Sequence, residues 1–208
     1  MKLQAAIDRV SLKQATQIAH QLDGIVDIIE LGTSIIKDYG LETLKAQDFK
    51  LTKSELLLDL KTNDEGKYEF ERGYQTSADI LTVMGGSDES TIQQTYAVAQ
   101  AKNKKMLIDL IETSDKKINQ LTDYYQNAIF GLHHSKDSTE AYDAVASIEQ
   151  FVKKHPTIKN IAVAGGIDLD QAQKIAQQGL ANTIIVGGKI VGATDPVKAA
   201  QKFMEVIK

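Results

Sequence analysis

The stretch LLLDLKTNDEG (residues 56–66) opens on an apolar run of strand length and closes on Asp59, Lys61 and Asp64. Three successive leucines with no polar residue between them describe a strand buried on both faces, as in a parallel sheet covered by helices. The charges sit where such a strand would emerge. Asp59 and Lys61 are two residues apart, so their side chains share one face of the strand.

Similar apolar runs recur at 3–8, 25–31, 80–84, 106–110, 128–132, 161–164 and 183–186. Most are bounded by turn or cap residues and rich in Ile, Val or Leu. Amphipathic segments lie between them. SLKQATQIAHQL (11–22) pairs Ser11 with Gln14, a capping box. STIQQTYAVAQAKN (90–103) and STEAYDAVASIEQFVKKH (138–155) read as helices starting on their serines. DLDQAQKIAQQG (168–179) starts on Asp168 and stops at Gly179, and DPVKAAQKFMEVIK (195–208) opens with a capping Asp195 and a first-turn Pro196. Eight strand–helix pairs predict an α/β fold, a single-domain (β/α)8 TIM barrel over residues 1–208, with a doubly wound open sheet as the alternative. Within GLETLKAQDFKLTKSE (40–55) a helix has to end and the chain has to re-enter the barrel.

Composition narrows the function. The 208 residues include no cysteine, which removes disulfides, thiolate nucleophiles and cysteine metal sites and fits a reducing compartment. Apolar residues at 42% and charged residues at 25% are ordinary for a soluble globular protein. A net charge of −4 advertises neither nucleic acid nor an anionic membrane as partner. MKLQAAIDRV meets Asp8 and Arg9 before a signal-peptide core forms, and no apolar run approaches the ~20 residues of a membrane span. A cytoplasmic protein is expected.

A barrel of this kind carries its active site at the C-terminal ends of its strands. The predicted strands end at Asp8, Glu30, Asp59 with Lys61, and Asp109, and the sixth is followed by His133 and His134. Only that end of each strand is so marked. Any single charge reads as a solvated terminus or a cap, which suffices for Asp115 and Asp195. Asp8, Glu30, Asp59 and Lys61 together end neighbouring strands and converge on one small volume. Buried charges cost several kcal/mol each unless they pair or bind an ion. Three carboxylates around one lysine leave excess negative charge, which a hard cation such as Mg²⁺ would balance. VAGGIDLD (163–170) and IIVGGKIVG (184–192) each place a Gly-Gly pair after a strand. Tight turns need glycine in any case, but strands seven and eight are where barrels frequently bind phosphate. Gly165, Gly166, Gly187 and Gly188 are therefore candidate phosphate contacts, with Lys189 as an added point charge.

MKLQAAID, VDIIELGT, DLKTNDEG, AGGI and VGGKIVGATDP together resemble the 3-hexulose-6-phosphate synthases of the orotidine 5′-monophosphate decarboxylase suprafamily. That suprafamily's Asp-x-Lys-x-x-Asp signature reads here as Asp59, Lys61 and Asp64. The resemblance implies Mg²⁺ held by Glu30 and Asp59, and a 1,2-enediolate formed from ribulose 5-phosphate before addition to formaldehyde. It further implies an electrostatic role for Lys61 beside Asp8 and Asp59, and a homodimer in which Asp64 reaches the neighbouring subunit's site. His133, whose side chain type titrates near neutrality, is the candidate for proton transfer, with His134 facing elsewhere. TVMGGSDESTI (82–92) and Asp109, where the related 3-keto-L-gulonate 6-phosphate decarboxylases typically have glutamate, favour the synthase. HHSKD within LHHSKDSTEA (132–141) leans towards the decarboxylase, and Glu65 replaces the family's usual alanine. A sugar-phosphate-binding relative without turnover is the third reading.

Overall fold

The computed structural model describes residues 1–47, 49–135, 137–139 and 142–208. Eight parallel strands follow one another around a closed barrel: β1 (Lys2–Ile7), β2 (Ile28–Leu31), β3 (Glu55–Thr62), β4 (Ile80–Met84), β5 (Lys105–Asp109), β6 (Ile129–His133), β7 (Ile161–Ala164) and β8 (Thr183–Val186). β8 pairs back onto β1, with Lys2 opposite Thr183 and Ala5 opposite Val186. Closure leaves no sheet edge unpaired, and the open-sheet alternative falls away.

Among the described residues, nine α-helices connect these strands: α1 (Leu12–Leu22), α2 (Thr33–Gln47), α3 (Gly66–Gly73), α4 (Glu89–Ala101), α5 (Asp115–Tyr124), α6 (Ala144–Lys154), α7 (Leu169–Gln178), α8 (Gly188–Val191) and α9 (Pro196–Ile207). α8 is a single turn beyond the eight expected pairs. Ser11 and Gln14 form the capping box of α1, Asp168 and Gln171 that of α7, and Gly179 ends α7 at φ 69°. Asp195 caps α9 with proline in its first turn.

Two helix starts differ from expectation. Asp88, not Ser90, caps α4, because its carboxylate takes the Ser90 N–H at 2.9 Å. α6 begins at Ala144 rather than Ser138, because Asp143 accepts the Ala146 N–H. Lys136, Glu140 and Ala141 of the 132–141 stretch lie outside the described residues, as does Asp48 of the 40–55 stretch. In that earlier stretch the helix ends at Gln47, within 40–55 as expected, but after a kink that was not. α2 kinks at Gly40 (φ 73°, ψ 159°) and runs on to Gln47, with Leu44 and Phe49 buried to anchor the return.

The core has two parts. Ile28, Leu57, Ile80, Leu107 and Ala162 fill the barrel, with Ile129 and Ile185 packed against them. Their chain neighbours Ile29, Leu58, Leu81, Ile108, Val163 and Ile184 belong to the larger core that the helices cover. Strand alternation then fixes what comes next on the inner face. Two residues past Ile28, Leu57, Ile80 and Leu107 stand Glu30, Asp59, Thr82 and Asp109. A polar layer therefore sits directly on the apolar plug.

The expectation that only one end of each strand is charged is wrong. β1, β3 and β5 begin with Lys2, Glu55 and Lys105, residues that the predicted strands began one position too late to include. Glu55 pairs with both lysines, and Lys104 pairs with Asp79 at 2.6 Å. What separates the two ends is burial. Lys2 and Lys105 have half-exposed side chains in pairs worth little, whereas the side chain of Asp109 is 6% exposed.

The caps offer a test remote from the barrel mouth. Ser11→Ala removes the side-chain acceptor of the α1 box and should lower unfolding stability by about 1 kcal/mol. Urea denaturation measures it, and a wild-type midpoint in the variant would show that the box contributes nothing.

Candidate active site

A cavity of about 320 Å³ opens at the C-terminal ends of the strands. Asp8, Glu30, Asp59, Lys61, Asp109 and His133 all line it, as do Gly165, Gly166, Gly187, Gly188 and Lys189 from the opposite wall. The structure thus brings together every predicted site residue except Asp64.

The end of β3 is irregular. Leu57 and Leu58 pair with Ile80 and Leu81, but the next pairing is Thr62 with Val83, so β3 carries extra residues there. Lys61 takes up the excess in the left-handed region at φ 49°, which costs a non-glycine residue on the order of 1 kcal/mol. Its N–H donates to Thr82 Oγ1 at 2.9 Å. Its ammonium lies 3.5 Å from Asp59 Oδ2 and forms a short ion pair with Asp109. Burial works against the lysine's charge, but Asp59 and Asp109 outweigh it and hold the pKa above the ordinary lysine value.

Asp109 is shared. One of its oxygens meets Lys61 and, at 3.0 Å, His133 Nδ1, and the other accepts the Ile111 N–H at 3.0 Å. Burial pushes this carboxyl up, but the His133 hydrogen bond and the Lys61 charge hold it at about 2. Asp59 is clamped by hydroxyls, Thr33 Oγ1 donating to Oδ2 at 2.5 Å and Thr82 Oγ1 to Oδ1 at 2.8 Å. Glu30, 8% exposed, accepts from Gln4 Nε2 at 2.6 Å. Burial and then the charge of Asp59 push Glu30 up to about 8, with Asp8 adding to the effect. Asp8, one residue past β1, accepts from Ser34 Oγ at 2.7 Å. A side chain at position 32 would strike the Asp8 carboxylate at 2.3 Å, so Gly32 gives it room.

The opposite wall is built from the turns after β7 and β8. Gly165 and Gly166 have φ of 132° and 63°, conformations that side chains resist. A Cβ on Gly165 would press on His134 and on the ring of Tyr142. Those two rings stack at 4.5 Å and 5°, so His134 packs on the β7 turn while still bordering the cavity, instead of facing away. Gly187 leads into α8, whose first N–H groups have no partner within the helix. Lys189 stands exposed at the rim.

Asp64 lies outside this cavity. It is exposed in the turn after β3, where Oδ1 accepts the Glu65 N–H at 2.8 Å. Glu65 itself is left-handed at φ 53° and makes no side-chain cap. Asp115 pairs with Lys154 at 2.7 Å on the surface, in keeping with its reading as a solvated residue.

Sequence reading missed Gln4, Thr33, Ser34 and Thr82. Gln4 and Thr82 carried a usable signal: each is polar within an apolar strand and in phase with the inner face. Thr33 and Ser34 carried none, because they sit past β2 and are brought in by the α2 start.

Residues 1–203 match the family described as orotidine 5′-phosphate decarboxylase / HUMPS. The chain is 31% identical over 212 residues to the 3-hexulose-6-phosphate synthase of Bacillus subtilis (strain 168), covering 100% of this chain and 99% of that protein. The crystal structure of the 3-hexulose-6-phosphate synthase from Salmonella typhimurium superposes with a TM-score of 0.90 at 31% identity, covering 100% and 98% of the two chains. KGPDC from Streptococcus mutans shares the fold at a TM-score of 0.86 and 22% identity, over 99% and 96%. With the charged layer in place and the match running nearly end to end, this chain belongs to the orotidine 5′-phosphate decarboxylase / HUMPS family, whose relatives named here are carbon–carbon lyases.

Proposed function

We propose that the chain is a Mg²⁺-dependent 3-hexulose-6-phosphate synthase, condensing formaldehyde with ribulose 5-phosphate and catalysing the reverse cleavage. One observation carries the reading: Lys61 is held between Asp59 and Asp109, with His133 on the same Asp109 oxygen. That is a fixed positive charge next to an oriented proton carrier, the pair needed to draw a proton from the carbon beside a ketone and stabilise the resulting enediolate. The aldehyde carbon then takes the enediolate's electron pair and the new bond forms at the former C1, while the C=O π pair moves to the aldehyde oxygen, which takes the proton back from His133.

Glu30 and Asp59 fit a divalent cation. Glu30 is a buried carboxyl whose ionisation its carboxylate neighbours oppose, so a cation is the natural counter-charge. Among the described residues no group of three or more His, Asp or Glu is arranged for a metal. The fit is therefore to an ion that takes few protein ligands and keeps sites for water and substrate, as Mg²⁺ does. When bound, such an ion would neutralise negative charge developing on the substrate oxygens.

The chain's own groups supply the rest. Lys61 stays cationic and faces the same developing charge. Asp109 accepts a hydrogen bond from the Nδ1–H of His133, which leaves Nε2 to accept the substrate proton. Asp8 adds its charge to the carboxylate cluster, where it opposes the ionisation of Glu30. N–H groups of Gly165, Gly166, Gly187 and Gly188, with Lys189, hold the phosphate on the far wall. Asp64, exposed and outside its own cavity, serves the neighbouring site of a homodimer. The location is cytoplasmic; among the described residues no helix is long and apolar enough to cross a membrane.

The deciding assay measures formaldehyde consumption with ribulose 5-phosphate beside CO₂ release from 3-keto-L-gulonate 6-phosphate. Formaldehyde consumption is expected. CO₂ release alone would make the chain a decarboxylase, and neither product would leave a binding protein. Lys61→Ala should cut kcat by roughly 10²–10³-fold with the fold retained by circular dichroism. EDTA should abolish turnover and Mg²⁺ restore it.

Glu30 also gives a pH signature without metal. Its folded pKa of about 8 lies above the ordinary 4.5. Its contribution to stability is therefore full below 4.5 and is lost as pH rises through about 8. In EDTA, the urea midpoint of wild type relative to Glu30→Gln should fall across that window, and added Mg²⁺ should reverse the fall at its upper end. A pH-independent difference would contradict the assignment.

A further inference from the structure

We propose that Thr82 is a positioning residue for this site, acting through Asp59 and Lys61 at once. Thr82 lies on β4 in the inward layer, one strand away from the two groups it joins, and is 3% exposed. Its single hydroxyl makes both bonds. The Lys61 N–H donates to Oγ1 at 2.9 Å, and Oγ1 donates its own proton to Asp59 Oδ1 at 2.8 Å. The directions are fixed, because an amide N–H only donates and a carboxylate only accepts.

The position of this relay explains why it matters. The β3–β4 ladder is interrupted between Leu58 and Thr62. Lys61 falls in that gap, in a left-handed conformation, so its N–H has no ladder carbonyl. Thr82 supplies the missing acceptor and so holds the backbone angle from which the Lys61 side chain reaches Asp109. The hydrogen bond it donates to Asp59 sets the rotation of that carboxylate, whose other oxygen Thr33 fixes. One hydroxyl therefore aligns the lysine and the aspartate relative to each other. A buried amide left without a partner costs about 1–3 kcal/mol, so the left-handed turn would be the part to relax if the hydroxyl were lost.

The kinetic consequence rests on the proposed synthase reaction; the two bonds do not. Thr82→Val keeps the shape and removes both donor and acceptor. It should lower kcat by roughly 10–100-fold, the scale of a small misplacement of reacting groups. KM for ribulose 5-phosphate should stay within about threefold, because the phosphate wall is untouched. Thr82→Ser keeps the hydroxyl and should restore kcat to within about threefold of wild type. Amide hydrogen exchange gives a second readout: the Lys61 N–H should be protected in wild type and Thr82→Ser, and exchange about tenfold faster or more in Thr82→Val. Should Thr82→Val fail to fold, Thr82→Ala makes the same comparison. Retained kcat in the hydroxyl-free variant, or equal loss in the serine and valine variants, overturns the proposal. Absence of wild-type turnover would sink the synthase reading instead, and Lys61 exchange would still decide the Thr82 bridge: equal rates in wild type and Thr82→Val overturn it.

Discussion

An ammonium group held between two carboxylates organises the open end of this barrel. Lys61 meets Asp59 on its own strand and Asp109 two strands away, and Asp109 in turn holds His133 on the next strand. Three ionisable groups from three strands are therefore tied to one side chain. Placing it requires a left-handed residue at the end of β3 and a break in the β3–β4 register. The strain is tolerated because the charges it brings together would be costlier apart, each buried without a counter-charge. Backbone geometry at one residue thus couples the fold to the chemistry proposed for it.

The same parity rule that fills the barrel also charges its mouth. Leu57 plugs the interior and Asp59 stands two residues on. Leu107 and Asp109 repeat the step, as do Ile28 and Glu30. No loop is needed to deliver these carboxylates, and each inherits the rigidity of a packed strand. The opposite wall is built differently, from left-handed glycines and a short helix that expose N–H groups. A sugar phosphate would therefore meet side-chain charge at its reacting end and backbone dipoles at its phosphate.

Much of this was legible in the sequence, and the reasons differ by residue. Buried parallel strands are continuous apolar runs, so all eight could be read, and the charges ending them were conspicuous against that background. Caps involving a single strong candidate, such as Ser11 or Asp168, were also readable. Where two candidates competed, as Asp88 with Ser90, the carboxylate prevailed. The α2 kink at Gly40 was not readable, because the residues after it keep helical character and Leu44 and Phe49 supply a tertiary anchor. Thr33 and Ser34 reach Asp59 and Asp8 only through the closed barrel. The left-handed Lys61 is a further case: lysine gives no local signal for that conformation, which follows from the register break and the acceptor on Thr82. Glu65, also left-handed, touches nothing in the cavity, and its replacement of alanine has no structural explanation.

In the proposed reaction this charged cluster takes a proton from carbon. The most direct measurement is deuterium exchange at C1 of ribulose 5-phosphate in heavy water, with Mg²⁺ present and formaldehyde absent. Incorporation at a single C1 position is expected for the wild-type protein, with its loss in His133→Asn while sugar-phosphate binding is retained. A wild-type protein that binds the sugar phosphate yet leaves C1 unexchanged would contradict it.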